Sequence, residues 1–246
     1  MPSRTDIRLV ELGVVPYGQA LSLQYRLRDR LISGDVPEDV AGWLICLEHE
    51  PVVTLGKRGL PEHLVDPDSL RSQGIEVFEI DRGGEATYHG PGQLVVYPVI
   101  ELERLAMGVV DVVRGLADVI SEALAEYGLA ADYDTDHPGV WTTDEEPHRK
   151  MASVGMRVRR GVSTHGAAIN LDNDMRPFSM IVPCGMPDAP MARLADYTSS
   201  DAAISPEDFR QKLYPGIEEL TEATLRPSEV DLPPQSEWIE PLGDEE

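Results

Sequence analysis

The chain has 246 residues, 41% of them hydrophobic, which is enough to bury a sizeable core in one large domain. Its net charge of -23, from 21 Lys and Arg against 44 Asp and Glu, disfavours binding to the phosphates of nucleic acids. Two cysteines exclude a disulfide framework, and no apolar run approaches the roughly 18 residues of a membrane span. Because no signal-like segment precedes the first predicted strand either, we expect a soluble cytoplasmic protein without membrane contact.

Strand-like and helical patterns alternate along the chain. Strands are predicted over residues 7–12, 42–48, 52–55, 75–80, 93–100, 139–142, 150–159 and 162–171. Helices are predicted over 17–33 and 109–127, the second ended by Gly128. A last helix begins at Ser205, and Pro215 with Gly216 should break it. The mixture indicates an α+β (mixed α/β) fold with a mixed β-sheet flanked by helices.

Acidic residues accumulate at the C-terminus. Seven acids and no base lie in residues 228–246. Chains of this composition stay solvated, so we expect an arm that is not part of the core. The predicted organisation is a folded domain over residues 1–227 and an acidic C-terminal tail over 228–246.

A loop between two predicted strands has the composition of a binding loop. Residues 82–93 contain five Gly or Pro, which let backbone amides approach a ligand closely. Arg82, Thr87, His89 and Gln93 add donors for a polar head group. A tight linker that carries polar residues by chance is the alternative.

Lys150 lies at the start of the predicted strand 150–159. Strand alternation places it on one face with Ala152 and Val154, while Arg157 and Arg159 point to the other. An inward ammonium group is common where lysine takes part in chemistry. A strand-end lysine that reaches back to water is the alternative.

Cys184 follows Pro183 and precedes Gly185, which predicts a turn. A thiol with a pKa of about 8.5 needs activation to be a nucleophile at neutral pH, and Lys150 is a candidate partner. A buried turn cysteine without chemistry is the alternative. His89 and His165 lack the spacing of zinc ligands, so no metal site is expected.

Several motifs together resemble the lipoyl(octanoyl) transferase family, the lipoate-protein ligase B type. The resemblance covers residues 7–200 and is carried by segments 47–56, 82–97, 138–141, 150–155, 165–170 and 183–185.

The resemblance implies the site and its chemistry. Cys184 is then the acyl-accepting nucleophile, and Lys150 sets its ionisation and moves protons. The implied acyl site is lined by Arg82, Gly83, Gly84, Glu85, Ala86, Thr87, Tyr88, His89, Ser153, Val154, Gly155, Gly166, Ala167 and Ala168.

The same resemblance implies the reaction, the partners and a fold shared with biotin protein ligases and lipoate ligases. An octanoyl group moves from octanoyl-acyl carrier protein to a lysine of lipoyl domains, in 2-oxoacid dehydrogenases or in the glycine-cleavage carrier protein. We expect a monomer that needs no cofactor. The basic clusters Lys57–Arg58 and Arg157–Arg159–Arg160 are expected to dock these partners.

Two other functions stay open from the sequence. An ATP-dependent lipoate or biotin ligase would share the fold and a catalytic lysine. A carrier-protein binding module without catalysis would share the fold alone.

Overall fold

The computed structural model describes residues 5–183, 186, 190–198 and 204–242. Within them the helices are α1 (Tyr17–Ser33), α2 (Pro67–Ser72), α3 (Val109–Ala125) and α4 (Pro206–Thr221). The strands are β1 (Asp6–Val15), β2 (Val40–His49), β3 (Val52–Leu55), β4 (Glu76–Glu79), β5 (Ala86–His89), β6 (Gln93–Ile100), β7 (Ala131–Asp134), β8 (Gly139–Thr142), β9 (Lys150–Arg159), β10 (Val162–Asn170) and β11 (Thr224–Pro227).

The strands form two sheets. The large mixed sheet has the order β11-β1-β2-β6-β10-β9-β8-β7, with β1 parallel to both β11 and β2 and the remaining neighbours antiparallel. The small sheet has the order β4-β3-β5. This arrangement confirms the predicted mixed sheet with flanking helices.

Strand β2 shows why helices cover both faces of the large sheet. Its side chains alternate between two apolar clusters: Trp43 and Ile45 pack with α1, whereas Leu44 and Cys46 pack with α3 and α4. A strand that is apolar on both faces must be covered on both. The sheet is therefore the middle layer of the protein.

Helix α3 follows its predicted pattern. Its buried side chains recur every three or four residues, from Val112 through Leu116 and Ile120 to Leu124. Gly128 adopts a φ of 80°, a conformation that favours glycine, and the helix has ended before it, as predicted. No helix in the described part of the chain is both long enough and apolar enough to cross a bilayer.

The predicted break of the last helix at Pro215 is wrong, because α4 continues to Thr221. Phe209, Leu213 and Ile217 are buried before and after the proline, and this apolar face packs against the cluster that includes α3. The proline ring lies on the exposed side. Tertiary packing therefore outweighs the local preference of proline.

Four short elements were missed by the sequence patterns. They are α2, β5, β7 and β11, each of four or six residues. Segments this short contain too few residues to show a period, and their hydrogen bonds to neighbouring segments define them.

The predicted solvated arm is wrong for residues 228–242. Their acids are exposed, but the backbone is held to the body: Ile239 N donates to Ser22 Oγ over 3.0 Å, and Leu242 N donates to the Val77 carbonyl over 2.7 Å. Gly18 on α1 lies so close that a Cβ there would be 2.2 Å from the Ile239 carbonyl oxygen. The division into domains at residue 227 stays a prediction.

Replacing Pro215 by Ala should stabilise the protein. The change restores a backbone donor inside α4 and removes the clash of the ring with the preceding turn, and the gain is partly offset by a more flexible unfolded chain. We expect the free energy of unfolding to rise by roughly 2 kcal/mol, measured by denaturant titration. The matched control Glu219→Ala, exposed on the same helix, should stay within about 0.5 kcal/mol of the parent. An unchanged or lower stability of Pro215→Ala would contradict this account of α4.

Candidate active site

A cavity of about 320 Å³ lies between the small sheet and the large sheet. Strand β5 forms one wall, and β6, β9 and β10 form the opposite wall. The volume is at the lower end of the range for small-molecule sites.

Most of the predicted site residues line this one cavity. They are Arg82, Gly83, Gly84, Glu85, Ala86, Thr87, His89, Lys150, Ser153, Val154, Gly155, Gly166, Ala167 and Ala168. Segments 153–155 and 166–168 meet because β9 and β10 are paired with Gly155 opposite Gly166 and Ser153 opposite Ala168. The loop joins them through the hydrogen bond of 3.2 Å from Gly83 N to the Met156 carbonyl. Predicted residue Cys184 lies outside the described residues.

Tyr88 is the exception among the described site residues, and its predicted place in the acyl site needs correction. Strand alternation on β5 sends Thr87 and His89 toward the cavity and Tyr88 to the opposite face. There its ring packs edge-on against Phe178, with centroids 5.6 Å apart. We therefore expect no direct contact between Tyr88 and a ligand in the cavity.

Arg82 builds the loop that covers the cavity. Its Nη2 donates to the Thr54 carbonyl over 2.8 Å and to the Glu85 carbonyl over 2.9 Å, and its Nη1 donates to the Gly83 carbonyl over 2.9 Å. The Arg82 guanidinium group thus donates to backbone carbonyl oxygens of the loop and of β3. The sequence predicted that these donors would bind a ligand. Gln93 is likewise engaged, because its Nε2 donates to Asn170 Oδ1 over 2.9 Å.

Lys150 is fully buried, as strand alternation predicted. Its Nζ donates to the Pro138 carbonyl over 2.7 Å and lies 5.3 Å from the centroid of the Trp141 ring. A buried ammonium requires such oxygen and ring contacts to offset the loss of water. Gly139 provides the space, since a Cβ there would be 2.2 Å from Lys150 Cε and 2.5 Å from the Ala152 carbonyl oxygen.

The described residues on either side of segment 184–189 lie beside the cavity. Pro183 forms a bridge with Ala86, which lines the cavity. On the other side, the Pro190 carbonyl accepts a hydrogen bond of 2.8 Å from the backbone N of Lys150. Pro183 therefore contacts β5, and Pro190 contacts the catalytic candidate Lys150.

His165 lines the cavity and is tied to Asp81. Its Nε2 lies 2.9 Å from Asp81 Oδ1, which also accepts the Tyr25 hydroxyl over 2.8 Å. The hydrogen bond from His165 and the one from Tyr25 hold the pKa of Asp81 well below its usual range, against the effect of burial. Burial lowers the pKa of His165. The pair is therefore a neutral imidazole that donates Nε2–H to a carboxylate.

Two further histidines are fixed by hydrogen bonds. His89 Nδ1 lies 2.8 Å from Gln93 Oε1, an acceptor, so Nδ1 carries the proton. His49 donates from Nδ1 to the Val15 carbonyl over 2.9 Å and accepts the Tyr97 hydroxyl at Nε2 over 2.7 Å. Burial lowers the pKa of His49 to about 4 and lowers that of His89 well below its usual value. Both imidazoles are neutral at neutral pH.

Sequence reasoning missed several lining residues. They include Tyr17, Val95, Tyr97, Val113, Tyr133, Met156 and His165. Tyr97 and His165 lie within the motifs that carry the family resemblance, so the motifs could have indicated them as lining residues. Tyr17 and Val113 come from helices α1 and α3, and a helical apolar residue carries no signal that separates a cavity wall from the core.

Comparison with known proteins identifies relatives of this chain. Residues 16–218 match the family model described as the lipoyl protein ligase A/B catalytic domain. An octanoyltransferase of Alkalilimnicola ehrlichii is 43% identical over 192 residues, covering 78% of this chain and 83% of the relative. An octanoyltransferase of Desulfotalea psychrophila is 38% identical over 213 residues, covering 86% and 92%.

Solved structures share the fold at low sequence identity. Lipoate-protein ligase A bound with ATP aligns with a TM-score of 0.70 at 20% identity, covering 95% of this chain and 91% of that one. A bipartite lipoate protein ligase from Thermoplasma acidophilum aligns with a TM-score of 0.68 at 20% identity, covering 95% and 89%. The predicted likeness to the lipoate ligase fold is confirmed.

Gly139→Ala should displace Lys150 from its buried position. The added methyl group would overlap Lys150 Cε and a backbone oxygen, and backbone oxygens cannot move away as flexible side chains do. We expect a loss of about 1–3 kcal/mol in the free energy of unfolding and a shifted Lys150 ammonium in a crystal structure of the variant. Gly13→Ala is the matched control, because nothing lies within 4 Å of a Cβ at Gly13. A Gly139→Ala protein as stable as this control would disprove the close packing.

Proposed function

We propose that this chain, which belongs to the lipoyl protein ligase A/B catalytic domain family and is an acyltransferase, transfers an octanoyl group from an acyl carrier protein to a lysine of a lipoyl domain through a thioester on Cys184. Lipoyl domains of 2-oxoacid dehydrogenases and the glycine-cleavage carrier protein are the proposed acceptors. The chain's octanoyltransferase relatives support the acyl group and the reaction class.

The observation that carries the proposal is a buried lysine at a cavity whose flanking chain leads to a cysteine. Lys150 is fully buried and lines the cavity, and its backbone N is bound to Pro190. Pro183, the neighbour of Cys184, is bridged to Ala86 on the opposite wall. Cys184 is the next residue along the chain after Pro183.

In the first half-reaction the Cys184 thiolate attacks the carbonyl carbon of the donor thioester. A tetrahedral oxyanion forms, and backbone amides near Gly166 or Cys184 stabilise it. The bond between the carbonyl carbon and the donor sulfur then breaks. The Lys150 ammonium gives a proton to the departing thiolate, which leaves as a thiol, and Lys150 becomes neutral.

In the second half-reaction the acceptor amine attacks the octanoyl-Cys184 thioester. Lys150, now neutral, accepts a proton from the attacking nitrogen, so the product is a neutral amide. The bond from the carbonyl carbon to Cys184 Sγ breaks and regenerates the thiolate beside the ammonium. No external acid or base is consumed over the two steps.

The cavity wall suits an alkyl chain. Val95, Val154, Ala167 and Ala168 present apolar surface to the cavity. Burial of each methylene contributes about 0.8 kcal/mol. An octanoyl chain thus gains affinity along its whole length.

The two alternatives are less well supported. An ATP-dependent ligase shares the fold, but the relatives at 38–43% identity are octanoyltransferases, whereas the ATP-bound ligase is 20% identical. A binding module without catalysis gives no reason to bury a lysine in the cavity. Transfer that required ATP and released pyrophosphate would favour the ligase.

Incubation with octanoyl-acyl carrier protein should add one octanoyl group to Cys184, detected by mass spectrometry of the intact protein and its peptides. Cys184→Ser should abolish the adduct and the transfer. Lys150→Met should slow transfer by roughly 10²- to 10⁴-fold, since the proton carrier is lost.

Cys46→Ala is the matched control for this experiment. Cys46 is buried in β2, and burial raises the pKa of its thiol to about 12, so it is not a nucleophile at neutral pH. The control should keep the adduct. Normal turnover by Cys184→Ser would refute the covalent mechanism.

We also propose that a basic surface attracts the acidic carrier. Some of the cations in the predicted clusters are paired with acids and some are not. Arg58 is paired with Glu85 at 2.7 Å, and Arg157 faces Asp81 at 3.7 Å. Lys57, Arg159 and Arg160 are exposed and form no ion pair with any described residue. These three cations are the proposed docking surface in a chain of net charge -23.

Arg159→Glu should raise the apparent KM for octanoyl-acyl carrier protein by roughly tenfold at low salt, and added salt should reduce the difference. The small thioester octanoyl-pantetheine should react unchanged, because it does not need the surface. Arg226→Glu, on the edge strand β11, changes the net charge equally and serves as the control. Equal KM values for the two variants would refute the docking assignment.

A further inference from the structure

A thin wall separates the cavity from a surface groove. The groove is lined by Tyr25, Asp81 and Ile239 among others, while Arg82 and His165 line the cavity. Adjacent residues thus face different spaces, with Asp81 toward the groove and Arg82 toward the cavity.

The hydrogen bond from His165 to Asp81 crosses this wall. Its length is 2.9 Å, and the exposed fraction of the His165 side chain is 2%. Tyr25 binds the same carboxylate oxygen over 2.8 Å from the groove side, and Arg157 faces the other oxygen at 3.7 Å. The carboxylate is therefore held from the groove side while it binds the imidazole on the cavity side.

The backbone of His165 is strained in a way that fixes the ring. Its φ is +60°, a value that most non-glycine residues avoid. Gln24 Oε1 accepts its backbone N–H over 2.7 Å, which holds this conformation from α1. Strained residues held by their surroundings are frequent at functional sites.

Strand pairing shows how far this wall lies from the reactive end. His165 is opposite Met156, whereas Lys150 is six positions earlier on β9. The Lys150 side chain reaches forward to Pro138, whose neighbour Gly139 is opposite Ser153. Along β9, three residues separate the position of the Lys150 ammonium group, near Ser153, from Met156, which is opposite His165. This separation corresponds to about 10 Å. This span is comparable to an extended eight-carbon chain.

We propose that the His165–Asp81 hydrogen bond closes the far end of the cavity and sets the longest acyl chain that the protein accepts. The inference rests on the proposed acyl-transfer function and adds the residues that determine chain length. An acyl chain two carbons longer than octanoyl would meet the imidazole. Opening the wall would let the extra carbons pass toward the groove.

The test is the binding of octanoate and decanoate, measured by calorimetry in the Cys184→Ser background so that no covalent chemistry intervenes. In His165→Gly the ratio of decanoate to octanoate affinity should rise about 15-fold, since each of the two additional buried methylenes contributes about fourfold. Glycine suits a φ of +60°, so this variant should fold. Asp81→Ala should shift the ratio in the same direction, because the imidazole loses its anchor.

Tyr25→Phe is the matched control. It removes one hydrogen bond to Asp81 from the groove side but leaves the bond that crosses the wall. Its affinity ratio should equal that of the parent. An unchanged ratio in both His165→Gly and Asp81→Ala, or a parent that does not bind octanoate, would overturn the proposal. Failure of the acyl-transfer mechanism would appear separately, as a missing octanoyl adduct on Cys184 of the unmodified protein.

Discussion

The site depends on one constraint, the burial of the Lys150 ammonium group. Removing a charge from water is unfavourable unless oxygen atoms replace the lost hydration. The Pro138 carbonyl and the Trp141 ring provide that replacement, and both come from the β8 region. Strands β8 and β9 must therefore pair so that Gly139 faces Ser153, and the irregular register between Val140 and Trp141 accompanies this placement. The pairing of β8 with β9 is thereby linked to the burial of Lys150.

Glycines also permit close backbone contacts around the cavity and the loop that covers it. A Cβ at Gly155 would be 2.9 Å from the Gly83 carbonyl oxygen, and one at Gly166 would be 2.0 Å from the Val96 carbonyl oxygen. Gly83 N donates to the Met156 carbonyl over 3.2 Å, which seats the loop on β9. Glycine here permits backbone segments to approach each other. Gly155 and Gly166 are thus explained by close contacts within the protein.

This difference shows what the sequence could and could not predict. Alternation on β9 predicted the inward direction of Lys150, because side chains of a strand point alternately to its two faces. The same rule applied to β5 would have removed Tyr88 from the site, but β5 has four residues and was not recognised as a strand. Helix α4 passes Pro215, and residues 228–242 lie on the body, because of contacts between distant segments that no local pattern contains. Segments 82–87, 153–155 and 166–168, which the motifs indicated, line one cavity, whereas their role in binding an acyl group stays a prediction.

The histidines around the cavity limit where protons can move. His49 uses both ring nitrogens, one toward the Val15 carbonyl and one toward the Tyr97 hydroxyl, so it has no free position for a substrate proton. His165 donates to Asp81, and its lowered pKa opposes a second proton at neutral pH. The low pKa of His89 has the same consequence. These rings therefore position neighbouring groups in their neutral forms. Lys150 is the buried amine that lines the same cavity.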